Sequence, residues 1–395
     1  MSLLDSVPLV PGDPILGVTE AFLRDPNPRK VNLGQGLYYG EDGAIPLLEC
    51  VREAESCLLA AVAPRGYLPS DGLGAYADRV RELVFGRDAA YCVTAQAVGG
   101  TGGLKIGADF LRRITAGASV WISEPSWENH RQLFEAAGFR VKTYGYYDAA
   151  TRSIDFAAMR ASLEAAPRGD IVVLHGCCHN PTGVDLQPEQ WRELAALAAS
   201  RGLIPFIDFA YQGLGDGLDE DAFAARLFAK VVTPPVFVAS SFSKSFSLYG
   251  ERVGALSIAT ASAEQAARVR SQLKQIVRTN YSNPPTHGAK LVAAVLSSGE
   301  LRSLWERELA GMRERIKKMR AELVARIRER MPRADFSFVL AQRGMFSYSG
   351  LTSDQVTRLR DKYSVYAIDT GRLCIPALNS RNIDYVADAI ADVIA

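Results

Sequence analysis

Short apolar runs rich in β-branched residues alternate with longer runs rich in alanine, leucine and arginine from about Val93 onward. Four of the apolar runs span residues 118–123, 171–175, 203–208 and 236–240. This alternation predicts a parallel sheet with helices on both faces. Because ligand sites in such sheets lie at the carboxyl ends of the strands, polar residues near the ends of these runs are the first candidates for chemistry.

A second periodic segment covers residues 300–331. It is charged, repeats its apolar residues with the helical period, and contains neither glycine nor proline between Gly311 and Pro332. We expect one long helix here that connects two domains, followed by a smaller α/β unit over residues 333–395.

Composition narrows the class of protein. The 395 residues, 48% of them hydrophobic, suffice for a large core divided between two domains. The 45 lysines and arginines nearly balance 44 aspartates and glutamates, so we expect a small-molecule substrate and neither nucleic acid nor membrane as partner. With no signal peptide, no apolar run able to span a bilayer and six cysteines expected to be free thiols, the sequence predicts a cytoplasmic protein.

The segment from Ser240 to Gly254 places one lysine, Lys244, among serine hydroxyls, with Arg252 eight positions later. A lysine beside apolar and cationic neighbours can lose its proton and attack an aldehyde, while Ser241 and Arg252 are suited to a phosphate. The pattern predicts a Schiff-base site for pyridoxal phosphate. The alternative is a solvated lysine in a serine-rich surface loop.

A glycine-rich run over residues 98–105 precedes a helical pattern and contains Gly100 and Thr101. Its backbone N–H groups and the helix dipole are suited to a phosphate. Alone, the run could also be a nucleotide-binding loop, although it lacks the Gly-Lys-Ser/Thr ending of that motif. Together with Ser241 and Arg252, we interpret it as part of a phosphate site.

Asp208 ends the apolar run 203–208, and Tyr211 follows three residues later. A buried carboxylate needs a cationic partner, because an isolated one is costly. A protonated pyridine nitrogen is such a partner, and holding that proton makes the cofactor ring an electron sink. An aspartate that caps the next helix is the alternative.

Residues 175–183, His-Gly-Cys-Cys-His-Asn-Pro-Thr-Gly, follow another strand. Asn180 precedes a proline, which favours an extended backbone and a side chain directed into a cleft. The two cysteines and two histidines raise a zinc alternative, but they lack the separated ligand pairs of structural zinc sites, so we expect no metal. We interpret His175 and His179 as core histidines or as supports of the site.

Together these motifs resemble the class I aminotransferases of the aspartate and aromatic branch, over nearly the whole chain from Gly12 to Arg372. The resemblance implies an α/β protein of fold type I among pyridoxal phosphate-dependent transferases, with a mostly parallel central sheet flanked by helices and a smaller α/β domain. It also implies a homodimer with shared active sites. The implied divisions are an N-terminal arm over 1–12, a small domain over 13–43 and 312–395, and a large cofactor-binding domain over 44–311.

The resemblance assigns catalytic roles to Lys244, Asp208 and Tyr211, with Lys244 as the proton-transfer base. Trp127 would stack on the cofactor ring, and His130 would support Asp208. The implied cofactor-binding set is Gly100, Thr101, Trp127, Asn180, Asp208, Tyr211, Ser241, Lys244, Arg252 and, reaching the neighbouring subunit, Tyr67.

The resemblance also implies a substrate-binding set made of Gly36, Trp127, Asn180, Arg278 and Arg372. Arg372 would clamp the substrate α-carboxylate with its planar guanidinium, and Arg278 would cross the dimer interface to a side-chain carboxylate. Either arginine in isolation is equally consistent with a surface salt bridge.

The residues that indicate substrate preference within the branch do not all point to the same substrate. The residues that resemble the aromatic enzymes are Leu37, Tyr38, Tyr39 and Ile45, and those that resemble the aspartate enzymes are Thr101 and Asn283. Gln35 and Gly66 depart from the usual patterns, and Gln35 could widen the pocket or offer an amide to a substrate hydroxyl. We expect an aromatic amino acid aminotransferase that transfers the amino group of tyrosine or phenylalanine, and also of aspartate or glutamate, to 2-oxoglutarate. Aspartate aminotransferase is the alternative.

Two other classes of protein, a cofactor-sensing regulator and a nicotinamide oxidoreductase, have different sequence signatures. A cofactor-sensing regulator of this fold would carry a fused helix-turn-helix domain, for which we expect no room before Gly12. A nicotinamide oxidoreductase would carry an early glycine fingerprint followed by an acidic ribose ligand, and that pattern is not evident.

Overall fold

A computed structural model describes residues 2–9, 14–62, 64, 66–87, 89, 91–233 and 235–395, with only the backbone at 14–16. Two expectations, the start of the family resemblance at Gly12 and the division between arm and small domain at residues 12 and 13, lie outside these residues.

The described chain alternates helices and strands through most of its length. The α-helices are α1 (Pro14–Arg24), α2 (Glu49–Ala60), α3 (Gly74–Phe85), α4 (Gly99–Ile114), α5 (Glu128–Ala136), α6 (Phe156–Glu164), α7 (Pro188–Arg201), α8 (Leu218–Asp221), α9 (Phe223–Val231), α10 (Ala263–Asn280), α11 (His287–Ser297), α12 (Gly299–Arg330), α13 (Ser353–Tyr363) and α14 (Ile383–Ile394). Short 3₁₀ helices cover Leu3–Ser6, Ser337–Ala341 and Ile375–Ala377. Among the helices described, we find none with the length and apolar character needed to cross a membrane.

The strands are β1 (Val31–Asn32), β2 (Cys92–Val98), β3 (Ser119–Glu124), β4 (Arg140–Gly145), β5 (Tyr147–Asp148), β6 (Ser153–Ile154), β7 (Ile171–His175), β8 (Ile204–Phe209), β9 (Val236–Ser241), β10 (Val253–Ala259), β11 (Phe346–Tyr348), β12 (Val365–Tyr366) and β13 (Arg372–Cys374). The predicted run at 171–175 coincides with β7, and the other three predicted strands match β3, β8 and β9 to within one residue at each end.

Seven strands form the central sheet, in the order β2-β10-β9-β8-β7-β3-β4. The strands from β9 to β4 pair in parallel, and β10 runs antiparallel between β9 and β2. The sheet is therefore mostly parallel, which confirms the predicted α/β class.

Helices cover both faces of this sheet because strand side chains alternate in direction. Along β9, Val236 and Val238 join one buried cluster, whereas Phe237 and Ala239 join a second cluster on the other face. Since both faces are buried, the strand reads as a continuous apolar run, as expected for a parallel sheet.

The long helix predicted over 300–331 is α12, which spans 32 residues from Gly299. It begins where the Ser298 hydroxyl accepts a hydrogen bond from the Leu301 backbone N–H at 3.2 Å. Buried residues recur along α12 at intervals of three or four, the period of one helix face. That face packs on α11 and α2 near its start and on α14 near its end.

Candidate active site

A cavity of about 270 Å³ lies at the carboxyl ends of the sheet strands. Of the residues predicted from sequence, those lining it are Gly36, Gly100, Thr101, Trp127, Asn180, Asp208, Tyr211, Ser241, Lys244, Arg252 and Arg372. The cavity thus unites motifs that are separated by more than 300 positions in the chain.

Strand ends account for the position of the central residues. Asp208 is the penultimate residue of β8, and Lys244 lies three residues after β9. Because β8 and β9 are parallel neighbours, their carboxyl ends bring the two side chains to the same edge of the sheet. The Nζ atom of Lys244 lies 5.1 Å from the centroid of the Tyr211 ring.

The lysine is electrostatically suited to lose its proton. Burial lowers the pKa of Lys244 to about 8, the positive charge of Arg252 acts in the same direction, and the negative charge of Asp208 opposes both. A larger fraction of this amine is therefore neutral and nucleophilic near neutral pH than for a lysine of ordinary pKa.

The buried carboxylate of Asp208 stays ionised. Burial alone would raise the pKa of Asp208, but the hydrogen bond and charge of His130 and the charge of Lys244 outweigh it and lower that pKa. Oδ2 of Asp208 lies 2.9 Å from Nε2 of His130, whose Nδ1 lies 2.9 Å from the Ser126 hydroxyl. Oδ1 has no hydrogen-bond partner among the described residues and remains accessible from the cavity. Asp208 can therefore still accept a cationic ligand group.

The opposite end of the cavity is built to receive an anion. Helix α4 begins at Gly99, so the glycine-rich run predicted to precede a helix instead forms its first turns. A Cβ atom at Gly100 would lie 3.0 Å from Cβ of Ser241, and one at Gly99 would overlap the Arg252 guanidinium. The missing side chains leave the helix N-terminus, Ser241 and Arg252 open to one anionic group. Arg252 is held in place by Nη1, which donates to the Tyr249 carbonyl at 2.9 Å.

A buried arginine forms the third wall. Arg372 is only 1% exposed, and it donates from Nη1 to Oδ1 of Asn180 at 3.0 Å and from Nη2 to the Gly34 carbonyl at 2.8 Å. Its guanidinium carbon lies 4.2 Å from the centroid of the Phe346 ring, which also lines the cavity. Nε of Arg372 is enclosed and has no partner among the described residues. The side chain is thus rigidly placed with spare donor capacity, as a carboxylate clamp requires.

Sequence reasoning missed five lining residues: Leu104, Ala210, Ser243, Tyr249 and Phe346. Ser243 and Tyr249 belong to the segment from Ser240 to Gly254 that contains Lys244, and the Tyr249 hydroxyl accepts a hydrogen bond from the Tyr38 backbone N–H at 2.8 Å. Phe346 lies on β11, far from every recognised motif, so no local pattern indicated it. These residues also shape the lining of the cavity.

The histidines and cysteines of segment 175–183 do not come together in one ligand group among the described residues, because His175 lies near His130 and Asp208 whereas Cys177 and Cys178 lie near Asp221. His175 lines the cavity, and both of its ring nitrogens lack partners among the described residues. His179 contacts the hydroxyls of Ser123 and Thr182 at 2.9 and 2.8 Å. Burial lowers the pKa of each histidine well below its ordinary value, so both are neutral. In the part of the chain that the structure describes, no metal-ligand cluster combines them with the adjacent cysteines.

Two predicted site residues lie outside the cavity of this chain. Tyr67 is 94% exposed, and Arg278 is an exposed residue at the end of α10 that bonds to the Ser282 hydroxyl. Gln35, which could widen the substrate pocket or offer it an amide, lines a different cavity between α1 and α14. Gly66 has no atom within 4 Å of the position a Cβ would take.

Comparison with known proteins gives consistent matches. The family described as "Aminotransferase class I and II" matches residues 28–390. The chain is 55% identical to an aspartate aminotransferase of Pseudomonas aeruginosa over 100% of both chains. It is 50% identical to an aromatic-amino-acid aminotransferase of Escherichia coli, over 97% of this chain and 98% of that one.

A solved structure of similar sequence has nearly the same fold. The crystal structure of an aromatic-amino-acid aminotransferase of Burkholderia pseudomallei, covalently bound to pyridoxal phosphate, superposes with a TM-score of 0.97 at 58% identity and covers 100% of both chains.

Proposed function

The chain belongs to the class I and II aminotransferases, and from this premise we propose that it is an aromatic amino acid aminotransferase that also accepts aspartate and glutamate. Its reaction is pyridoxal phosphate-dependent transamination. The observation that carries the proposal is that Lys244, Asp208, Arg252 and Arg372 line one cavity. Aspartate aminotransferase is the second candidate, favoured by the 55% identity to an enzyme of that name.

We propose specific contacts for the cofactor. Arg252, Ser241 and the start of α4 at Gly100 and Thr101 would hold the phosphate, since they form the cavity's anion-binding end. Oδ1 of Asp208 would accept from the protonated pyridine nitrogen. The other proposed contacts come from Trp127 on the ring face and from Asn180 and Tyr211 at the phenolic oxygen.

When bound, pyridoxal phosphate supplies an aldehyde for Lys244 and an electron sink for the charge that develops at the substrate Cα. Lys244 is proposed to carry the cofactor and to move the substrate proton, for which its lowered pKa is suited. Arg372 is proposed to hold the substrate α-carboxylate through the donor capacity that Asn180 and Gly34 leave unused. The amino group would pass to 2-oxoglutarate by the same steps in reverse.

An aromatic side chain is proposed to occupy the apolar part of the cavity. Leu104, Trp127 and Phe346 line this part. Arg278, which would pair with an acidic side chain, lies elsewhere on the surface of the same chain. A ring therefore finds a matching surface within one chain, whereas an acidic side chain needs a cation from outside it.

We also propose a homodimer in which each subunit lends Tyr67 and Arg278 to the other's cavity. The support is that both residues are exposed although the family uses them at the site. Apolar side chains near the N-terminus are exposed as well: Leu3, Leu4, Val7 and Leu9. A partner subunit would cover such a patch.

The domain division and the compartment are proposals too. The division into 13–43 plus 312–395 and 44–311 is supported by the parallel pairing of β1 with β12. Under this division the boundary at residue 312 falls within α12. A cytoplasmic location is supported by the six cysteines, which form no disulfide in the part of the chain that the structure describes, as suits a reducing compartment.

The cofactor assignment is tested by borohydride reduction of the holoenzyme followed by peptide mass spectrometry. We expect the reduced cofactor on the peptide that contains Lys244, and none on the Lys244→Ala protein. Lys105→Ala is the matched control, because Lys105 lies on α4 near the cavity but pairs with Asp109. Fixation to any other lysine would overturn the assignment.

The substrate preference is tested by measuring kcat/KM for phenylalanine, tyrosine and aspartate side by side with 2-oxoglutarate. We expect values for the two aromatic substrates at least equal to that for aspartate. A clear preference for aspartate would instead establish the second candidate.

A further inference from the structure

A second cavity, of about 500 Å³, lies beside the middle of α12 and shares no lining residue with the catalytic cavity. Four basic side chains and one acidic side chain line it: Arg313, Lys317, Arg320, Arg343 and Asp216. The charge of this lining is strongly positive, although the chain as a whole is nearly neutral.

The innermost of these cations, Arg320, has no ion-pair partner. It is only 3% exposed, and it forms no ion pair with a carboxylate of the described residues. The charge of Asp185 acts to raise the pKa of Arg320, but that carboxylate accepts hydrogen bonds from the backbone N–H groups of Cys178 and His179. Burial lowers the pKa of Arg320 to about 10, and the guanidinium remains charged at neutral pH. A buried cation of this kind is costly unless an anion accompanies it.

The hydrogen bonds of Arg320 leave one side of its fork free. Nε donates to the Ser347 hydroxyl at 3.2 Å, and Nη2 donates to the Gly344 carbonyl at 2.6 Å. These bonds fix the guanidinium against the segment that leads into β11. Nη1 has no acceptor among the described residues and is not enclosed by protein. The two N–H donors of Nη1 are therefore left without a protein acceptor among the described residues.

Two of the other three cations, Arg343 and Lys317, stand nearer the surface. Arg343 pairs with Asp216 at 3.0 Å, and Lys317 pairs with Glu314 at 3.2 Å. Their side chains are 32% and 47% exposed, so both pairs are open to solvent and weak. These side chains can exchange their partners for an anion that enters the cavity.

We propose that this cavity binds a small oxyanion with two negative charges, a phosphate or a dicarboxylate, with Nη1 of Arg320 as its anchor. Both groups match the planar fork of a guanidinium. Lys317 and Arg343 complete the site at its mouth.

The test is calorimetric titration of the holoenzyme with inorganic phosphate and, separately, with succinate, at constant ionic strength. Arg372→Leu holoenzyme is the parent protein throughout, so that the catalytic carboxylate site does not compete. We expect saturable binding of at least one probe. Adding Lys317→Glu should weaken it by roughly tenfold or more, which corresponds to about 1.4 kcal/mol or more.

Lys318→Glu is the matched control, since Lys318 is 70% exposed, neighbours Lys317 and does not line the cavity. It should leave binding unchanged. Arg320→Met should abolish binding, and if that protein does not fold, Lys317→Glu decides alone. Absence of saturable binding by both probes, or equal binding by the Lys317→Glu and Lys318→Glu proteins, overturns the proposal.

Discussion

At the residue scale, the surroundings lower the pKa of two ionisable groups in the cavity, with opposite effects on their charge. Lys244 is shifted toward its neutral form by burial and Arg252, while Asp208 is kept ionised by His130 despite its burial. Lys244, which loses its proton more readily than an ordinary lysine, can serve as the base, while the ionised Asp208 can hold a proton on a ligand. Burial and neighbouring charges produce this difference in role, because a lysine in water would be almost fully protonated at neutral pH.

The lowered pKa of Lys244 predicts the pH dependence of its reactivity in the cofactor-free protein. Labelling by an amine-specific reagent should rise with pH through a midpoint at about 8 and then level off, whereas lysines of ordinary pKa, about 10.4, should still gain reactivity there. Peptide mass spectrometry after timed labelling measures this.

Two variants test the direction in which each neighbouring charge shifts the pKa of Lys244. Arg252→Gln removes a cation and should move the Lys244 midpoint to higher pH, while Asp208→Asn removes an anion and should move it lower. Shifts in the same direction for both variants would contradict the electrostatic account.

Asp208→Asn should also impair catalysis while the protein still binds the cofactor. An amide does not stabilise a buried cation as a carboxylate does, and loss of one member of such a pair costs ~3–5 kcal/mol, or roughly 10²–10⁴ in kcat. Single-turnover kinetics with phenylalanine measure the loss.

Asp170→Asn is the comparison for that experiment. Asp170 is another buried carboxylate, which accepts from the Ser119 backbone N–H at 2.9 Å and does not line the cavity. It should lower stability and leave single-turnover rates near those of the wild type. Near-normal turnover in Asp208→Asn would remove Asp208 from its proposed role.

At the scale of elements, the site depends on the close approach of α4 to the β9–β10 pair. Ser241 at the end of β9 lies opposite Gly254 at the start of β10, and the chain between them carries Lys244 and Arg252. This connection is anchored from α12, where Nε1 of Trp305 donates to the Ser245 carbonyl at 2.7 Å. Two strands and two helices thus fix the lysine and the anion-binding end together.

Gly254→Ala tests this arrangement. The new Cβ would overlap the backbone of Gly99, so α4 must move away from Ser241, at a cost of ~1–3 kcal/mol for overpacking. We expect a lower free energy of unfolding in urea and weaker cofactor binding. Gly311→Ala is the control, because a Cβ there meets nothing within 4 Å and should stabilise α12 by ~0.5–1 kcal/mol. Unchanged cofactor affinity in Gly254→Ala would show that the approach is not required.

At the scale of the whole molecule, the cavity of one chain contains Lys244, Asp208 and Arg252 but only one of the two proposed substrate cations. Arg372 faces the cavity, and Arg278 lies on the exposed surface. In the proposed dimer, general recognition of the α-carboxylate is a property of each subunit, whereas recognition of an acidic side chain depends on assembly.

Arg278→Leu should therefore lower kcat/KM for aspartate by roughly 10²–10⁴, because an unpaired desolvated carboxylate costs ~3–5 kcal/mol. The value for phenylalanine should change far less, and Arg372→Leu should impair both substrates. Equal losses for both substrates in Arg278→Leu would assign this arginine a structural role.

Mixed dimers locate the donor subunit. A heterodimer of one Lys244→Ala subunit and one Arg278→Leu subunit has one cavity with both an intact Lys244 and a partner's arginine. That heterodimer should regain aspartate turnover that neither parent shows. No recovery in verified heterodimers would place Arg278 in its own subunit's site.

The sequence by itself determined the class of fold, the central strands and most of the cavity. The apolar runs predicted β7 at its observed ends and β3, β8 and β9 to within one residue, because strand identity follows from local composition and period. Lys244, Asp208 and Asn180 were found because each lies in or just after a strand end within a recognisable segment. Their chemistry could be inferred from neighbours in the chain.

Tertiary structure decided the contacts between segments that are distant in sequence. The stacking of Phe346 on Arg372, the turn of Gln35 toward another cavity and the isolation of Arg320 in a cationic one had no local signature. Each depends on which side chain of one element meets which surface of another. That choice is made by the packing of the whole core, which a periodic pattern within one segment does not encode.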